Sequence, residues 1–416
     1  MMHKPLISAD LIVIDGDRGK NYPKQEDFMT SGHCIFLNAT NVTKNGFDFS
    51  ECIFISEEKN NILGKGIVKA NDIVLTTRGT VGNSGFYSEI IAKNFSACRI
   101  NSGMVILRCN SEKLNPYFVY IFIKSDLFLS QVDALRSGSA QPQLPIRDIK
   151  QITIPDLPLQ KQHGIASILG SLDDKIDLNR RTNETLEAMA RALFRDWFVD
   201  FGPTRAKMAG EAPYLAPELW ELFPDRLDDE EKPEGWQITR IGDCIERLKV
   251  GTLYSQKDLQ LSGTVPVLDQ GKNGIIGYHN NAPNIVATPN ERVCTFANHT
   301  CTQKLIDFPF STIQNVIPFK GKNFPSEWIF FATLGKQNFQ EYKGHWPDFI
   351  EQTICTPDKS DVVNFYRKMI DPMLNKQSEN TREIETLTQL RDLLLPKLMS
   401  GEISIRDAEK MVEDAA

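Results

Sequence analysis

The sequence predicts an α+β protein. It holds two globular units of mixed helix and strand, joined by two long antiparallel helices and related by a pseudo-two-fold axis. Three observations predict this. The chain is an internal tandem duplication, each half carries one long apolar stripe at helical spacing, and the stretches between the stripes mix short strand-like runs with glycine-bearing turns.

The duplication is legible in several places. Glu184-Thr185-Leu186 returns as Glu385-Thr386-Leu387, and Asn179 returns as Asn380. QITIPD at 151–156 returns as QTICTPD at 352–358, and SGHCIFLNATNVTKNGF at 31–47 echoes SGTVPVLDQGKNGIIGY at 262–278. The last pair lies further apart than the others, so the first half holds extra residues inside its globular part. The expected order is a first globular unit at 1–158, a first helical region at 159–201, a linker at 202–235, a second globular unit at 236–358 and a second helical region with a tail at 359–416.

In the first stripe Leu172, Ile176, Leu186, Met189 and Leu193 recur at mostly three- and four-residue steps; in the second Ile384, Leu387, Leu394 and Leu398 do the same. These nine are the expected helix-pairing residues. Both stripes turn polar mid-way, at Asn179 and Asn183 and at Gln377 and Asn380, and a polar layer inside an apolar seam sets register. Gly170-Ser171 and Asp371-Pro372 occupy equivalent positions and read as breaks. Ser171 and Asp371 would each cap a new helix of roughly 27 residues, about 40 Å long. The proline- and acid-rich segment 202–235 has no helical period and reads as a connector.

In the globular parts, 72–76 and 104–107 read as strands, and helices are expected at 117–129 after Asn115-Pro116 and at 326–335. Composition is that of a globular chain, 41% apolar and 24% charged, and no apolar run reaches membrane-spanning length. The N-terminal stretch lacks a signal-peptide pattern, so the chain reads as cytoplasmic. Eight scattered cysteines, none spaced as CxxC, read as reduced thiols rather than metal ligands. The net charge of −7 is uneven: +2 over 1–155, −7 over 156–235, +1 over 236–357 and −3 over 358–416. The acidic excess sits with the helices and linker, which leaves room for local basic faces on the globular parts.

No enzymatic constellation emerges. Asn115-Pro116-Tyr117-Phe118 superficially resembles an adenine-methyltransferase loop, but an asparagine cap before a first-turn proline accounts for it. Pro224-Asp225 with Glu230-Glu231-Lys232 is too compressed for a nuclease site on two strands, and there is no phosphate-binding GxxxxGK[ST] loop. The run Thr76-Thr77-Arg78-Gly79-Thr80-Val81-Gly82 carries more. Its glycines allow close backbone approach, its arginine suits guanine or phosphate, and Lys65, Lys93 and Arg99 bracket it. In the second half Lys272 and Asn273 sit in a glycine-flanked turn, followed by Asn298, His299 and Lys304. Each loop alone also reads as ordinary solvated surface. Their recurrence in equivalent halves makes Lys65, Arg78, Thr80, Arg99, Lys272, Asn273, Asn298, His299 and Lys304 the candidate DNA-contacting set. Two dissimilar readers on antiparallel rods have the pseudo-symmetry of a duplex and suit a split, asymmetric target. A rod of about 40 Å would match roughly one turn of B-DNA.

IPDLPLQKQHGIASIL at 154–169, RALFRDWFVDF at 191–201 and LRDLLLPKLMSGEI at 390–403 resemble the conserved regions of type I restriction–modification specificity subunits. RGTVG at 78–82 and GTVPVLDQGKNGIIGYHN at 263–280 resemble their target-recognition domains. The resemblance spans essentially the whole chain. It implies a non-catalytic DNA-recognition subunit that docks two methyltransferase subunits on its paired helices, with restriction/translocase subunits attached to that core. S-adenosylmethionine, ATP and Mg would belong to those partners and no cofactor to this chain. The other readings are a single-chain methyltransferase or nuclease, and a protein-interaction scaffold that does not bind DNA.

Overall fold

The computed structural model describes residues 2–8, 10–135, 143–271, 274–341 and 343–414. It divides into two compact units, one of residues 1–178 with 384–416 and one of residues 179–383. Each long helix is thus shared between units, half to each, and does not stand apart as a region of its own.

Both units are α+β, and the same three sheets recur in each. In the first unit β1 (Leu11–Asp15), β2 (Asp72–Thr76), β3 (Ser84–Tyr87) and β4 (Met104–Cys109) form an antiparallel sheet in the order β1-β4-β2-β3. In the second, β5 (Ile245–Arg247), β6 (Val293–Ala297), β7 (Gln303–Ile306) and β8 (Val316–Gly321) repeat that order as β5-β8-β6-β7. A three-stranded sheet accompanies each. Cys34–Leu37 lies between antiparallel Phe54–Ile55 and parallel Ala97–Ile100, as Val265–Leu268 lies between antiparallel Ile275–His279 and parallel Ser311–Thr312. A two-stranded pair brings the entry of each unit to the strand just before its long helix: His3–Pro5 on Thr153–Pro155, and Gln237–Arg240 on Thr353–Thr356.

The strands follow from their side-chain alternation. Ile73, Leu75, Val105 and Leu107 face one core, while Val74, Met104 and Ile106 face another, so both sheet faces are covered and the runs are continuously apolar. The first core is completed by the helix Pro116–Ile123, whose cap Asn115 accepts from the Phe118 N–H at 2.9 Å. In the second unit Cys294, Phe296 and Phe319 pack with Trp328 of the helix Ser326–Thr333.

The first long helix runs unbroken over Leu159–Phe198, 40 residues, and the second over Ser360–Ser400, 41 residues. At 1.5 Å per residue each is about 60 Å long. The expected breaks are corrected, and the 40 Å match to one turn of B-DNA falls with them. Ser171 does not cap; its hydroxyl donates to the Ile168 carbonyl at 2.8 Å, one turn back. Gly170 is small because a Cβ there would lie 3.2 Å from the Tyr117 ring. Asp371 spends its carboxylate on Arg292 at 2.8 Å, and Pro372 is carried inside the helix by the packing around it.

Within each unit the helices pair antiparallel. In the first, Asp173 bridges to Arg391 at 2.8 Å, and Leu172 and Ile176 share a core with Leu387, Leu394, Leu398 and the partly buried Ile384, while Gly164 lies against Ile405 of the following helix Ile405–Glu413. In the second, the Tyr366 hydroxyl donates to the Ala190 carbonyl at 3.0 Å, and the polar layer closes on itself. Asn179 donates to Glu383 at 2.8 Å, Asn380 to the Asn183 side chain at 2.8 Å and Gln377 to the Asn183 carbonyl at 2.8 Å. Leu193 packs at the edge of this core and Leu186 is half-buried, but Met189 is 50% exposed and is corrected as a pairing residue. The buried stripe here runs through Ala190, Phe194, Trp197 and Phe198. Ala190 takes the place expected of Met189: it is fully buried, and the Tyr366 hydroxyl reaches its carbonyl.

Asn380 is 1% exposed, so Asn183→Ala should strand its amide and cost about 1–3 kcal/mol in chemical unfolding. Asn183→Leu combined with Asn380→Leu should recover that stability. A neutral Asn183→Ala would show that the layer carries no energy.

The segment 202–235 is no open connector. It forms the helices Gly202–Ala209 and Pro217–Trp220, and Leu219 and Phe223 are buried beside Trp197 and Trp236. Its apolar residues cluster at 214–223 among prolines and acids without a helical period, which hid the packing.

Candidate nucleic-acid interface

The strand order decides which loops meet. In an antiparallel β1-β4-β2-β3 sheet, the exit of β1, the β2–β3 hairpin and the turn into β4 fall at the same end. Hydrogen bonds knit that end together in the first unit. Arg18 donates to the Ser102 carbonyl at 3.2 Å, and the Thr77 N–H to the Gly103 carbonyl at 2.8 Å. The Thr77 carbonyl accepts from Leu144 N–H at 3.0 Å, and Arg78 forms an isolated backbone bridge with Gln143. Thr76 closes the hairpin by donating its hydroxyl to the Thr80 and Asn83 carbonyls. Gly79 and Gly82 hold φ of +74° and +95°, which glycine adopts without strain. Nothing lies within 4 Å of where a Gly79 Cβ would be, so that position opens on space rather than on packing.

Arg78 and Thr80 are exposed at the tip of this hairpin, and the Arg78 side chain has no hydrogen bond or ion pair among the described residues. Lys65 is exposed on the neighbouring loop. Asp17 anchors that loop by accepting from the N–H groups of Gly19 and Gly64, each at 2.8 Å. The Gly19 bond leads in holding the Asp17 carboxyl below its ordinary range.

Arg99 is corrected. It is 6% exposed, and its guanidinium is spent on the chain itself: on the Asn60 side chain at 2.6 Å, the Asn60 carbonyl at 2.9 Å, the Leu63 carbonyl at 3.0 Å and the Lys65 carbonyl. Burial pulls its pKa down. Proximity in sequence grouped it with Arg78, but the pairing of Ala97–Ile100 with Cys34–Leu37 turns its side chain inward.

In the second unit the equivalent hairpin, β6–β7, carries Asn298 and His299. The two loops chosen from sequence therefore occupy the same topological position. Asn298 is committed to structure: its side-chain oxygen accepts from the Trp346 N–H at 2.8 Å, and its backbone N–H donates to the Asn315 carbonyl at 2.8 Å. His299 is half-buried, with its Nδ1 2.9 Å from the Lys343 carbonyl oxygen, to which it donates, and its backbone N–H on the Gln270 side chain at 2.9 Å. Lys304 folds back onto the Gly271 carbonyl at 2.8 Å, and burial lowers its pKa. These three brace the turn, and Asn298 and Lys304 present little to a ligand. Lys272 and Asn273 lie outside the described residues.

Beside this hairpin lies a cleft of about 730 Å³, lined among others by Arg247, Lys249, Asn298, Gln314, Asn315 and Trp346. Sequence reading missed Arg247, Lys249 and Gln314. A signal was available: Arg18-Gly19-Lys20 follows β1, and Arg247-Leu248-Lys249 stands at the end of β5, in corresponding places of the repeat. Among the described residues no group of three or more His, Cys, Asp or Glu is placed to hold a metal ion, all eight thiols are free, and no helix is long and apolar enough to cross a membrane.

Fold and site together define a duplicated α+β recognition protein, two sheet-end loop clusters presented by helix-paired units. Residues 9–188 match the family model described as the type I restriction modification DNA specificity domain. The HindI specificity subunit of Haemophilus influenzae is 23% identical, covering 93% of this chain and 98% of its own length. The MjaIX specificity subunit of Methanocaldococcus jannaschii is 23% identical over 86% of this chain and 85% of its own. Among solved structures, the S subunit of a type I restriction–modification system from M. genitalium shares the fold, with a TM-score of 0.55 and 14% identity over 95% of each chain. Residues 9–188 thus carry the type I DNA specificity domain, and along most of its length the chain is similar to type I restriction enzyme specificity subunits.

Proposed function

We propose that this chain is the DNA-reading, non-catalytic subunit of a type I restriction–modification complex and that each unit reads one half of a bipartite, asymmetric target. One observation carries the reading. The same four-stranded sheet appears twice, with the same end presenting different side chains: Arg78 and Thr80 in one unit, a cleft with Arg247 and Gln314 in the other. Equal architecture with unequal tips supports two half-sites of different sequence.

The paired helices are the proposed dock for two methyltransferase subunits, to which restriction/translocase subunits add. Exposed Met189 and Met369 on the second unit's helices and Leu393 on the first's support a protein-facing surface, as does the acidic balance of these segments. S-adenosylmethionine, ATP and Mg belong to those partners in this reading, which places the complex in the cytoplasm with the DNA it reads.

Arg78→Ala tests the reading. With the methyltransferase partner present, it should weaken binding by about 1–3 kcal/mol and relax one position of one half-site, leaving the other unchanged. DNA selected from a randomised duplex pool, sequenced for both proteins, measures this. An unaltered motif removes Arg78 from the interface, and an absence of salt-dependent duplex binding by the wild-type complex favours a scaffold instead.

A further inference from the structure

We propose that Arg247 and Lys249 clamp backbone phosphates of the second half-site and that Gln314, across the same cleft, reads a base edge. This rests on the DNA-recognition reading above and assigns it residues in the second unit. Arg247 and Lys249 are both exposed on the 730 Å³ cleft, and neither has an ion pair or side-chain hydrogen bond among the described residues. Their neighbours on the same unit differ: Arg240 pairs with Asp243 and Glu351, and Lys320 with Glu246. Two unpaired cations two residues apart on one cleft wall raise the local potential and favour an anion carrying more than one charge.

Gln314 supplies what the clamp lacks. It is exposed at the turn between Ser311–Thr312 and β8, beside Asn315, whose φ of +70° is the left-handed bend that makes the turn. The Asn298 N–H bond to the Asn315 carbonyl at 2.8 Å ties this turn to the β6–β7 hairpin. The Gln314 amide is therefore mounted on a braced support, without a partner of its own among the described residues. Of the three amides lining the cleft from these turns, Asn298 is bound to the Trp346 backbone N–H, Asn315 is half-buried at the bend itself, and Gln314 is exposed. A glutamine amide can pair in bidentate fashion with adenine N6 and N7.

The first unit supports the assignment independently. Arg18-Gly19-Lys20 leaves β1 at the corresponding sheet end, and Lys20 is likewise exposed and without a partner among the described residues. Arg18 there is drawn to Asp15 at 3.1 Å and to the Ser102 carbonyl, so the two units do not present the same charge pattern.

The experiment uses the full chain assembled with its methyltransferase partner. Duplexes selected from a random pool give the motif, and binding at several salt concentrations gives the slope. Arg247→Ala/Lys249→Ala should keep the motif but weaken binding to every sequence, with the slope of log affinity against log salt reduced by about one for each residue removed. Arg247→Lys should retain most of that slope. Gln314→Ala should leave the first half-site intact and make one position of the second degenerate, with a loss of about fivefold to 150-fold in discrimination. Unchanged motif, affinity and slope in both variants, with unfolding curves like wild type, overturns the assignment. Failure of the wild-type complex to select any motif instead overturns the reading on which it rests.

Discussion

Replacing Arg292 with alanine is expected to destabilise the second unit by about 3–5 kcal/mol. Arg292 and Glu327 are each 2% exposed and meet at 3.0 Å. The same guanidinium bonds Asp371 at 2.8 Å and Asn375 at 2.6 Å, both on the second long helix. One side chain thus fastens the start of β6, the helix Ser326–Thr333 and the long helix together. Removing it leaves the Glu327 carboxylate buried, with Arg367 at 3.6 Å as its remaining ion-pair partner among the described residues. All five tryptophans lie between residues 197 and 346, within this unit, so their fluorescence reports its unfolding separately. The double variant Arg292→Met/Glu327→Met should regain most of the loss, because no unpaired charge remains. A loss below about 1 kcal/mol for Arg292→Ala would mean that solvent reaches the network and already screens it.

The second large effect belongs to the first unit. Arg99→Ala should cost about 3–5 kcal/mol, since it strips a charged donor from the Asn60 side chain and from three carbonyls at Asn60, Leu63 and Lys65. Arg99→Lys should not restore the lost stability, because one ammonium cannot span four acceptors arranged around a planar fork. Hydrogen exchange at Cys34–Leu37 and Ala97–Ile100 measures it, while tryptophan fluorescence should stay unchanged. Arg78→Ala should do the reverse, altering what is read and leaving exchange as it was. If Arg99→Ala shifts the selected motif without changing exchange, the side chain faces DNA after all.

Local order was legible in the sequence wherever short-range rules decide it. The Asn115-Pro116 helix start, the strands at 72–76 and 104–107 (the latter running on to Cys109) and the polar layer of Asn179, Asn183, Gln377 and Asn380 depend on neighbours along the chain or on a simple period. The duplication carried the fold class, because two copies of one pattern must make two copies of one unit. It also held the clue to the basic step at the first strand, legible only once the halves are laid over each other.

Tertiary packing decided the rest. Local signals at Gly170-Ser171 and Asp371-Pro372 spoke for helix ends, yet both helices run through, because the apolar seam on either side outweighs one missing bond or one glycine. Whether an arginine is a brace or a reader also lay beyond sequence. Arg78 and Arg99 belong to the same chemical class and lie close in the chain. Only the strand pairing sends one to solvent and the other to buried carbonyls. A side chain's role is set by which acceptors surround it, and those acceptors come from residues distant in sequence that the fold alone brings together.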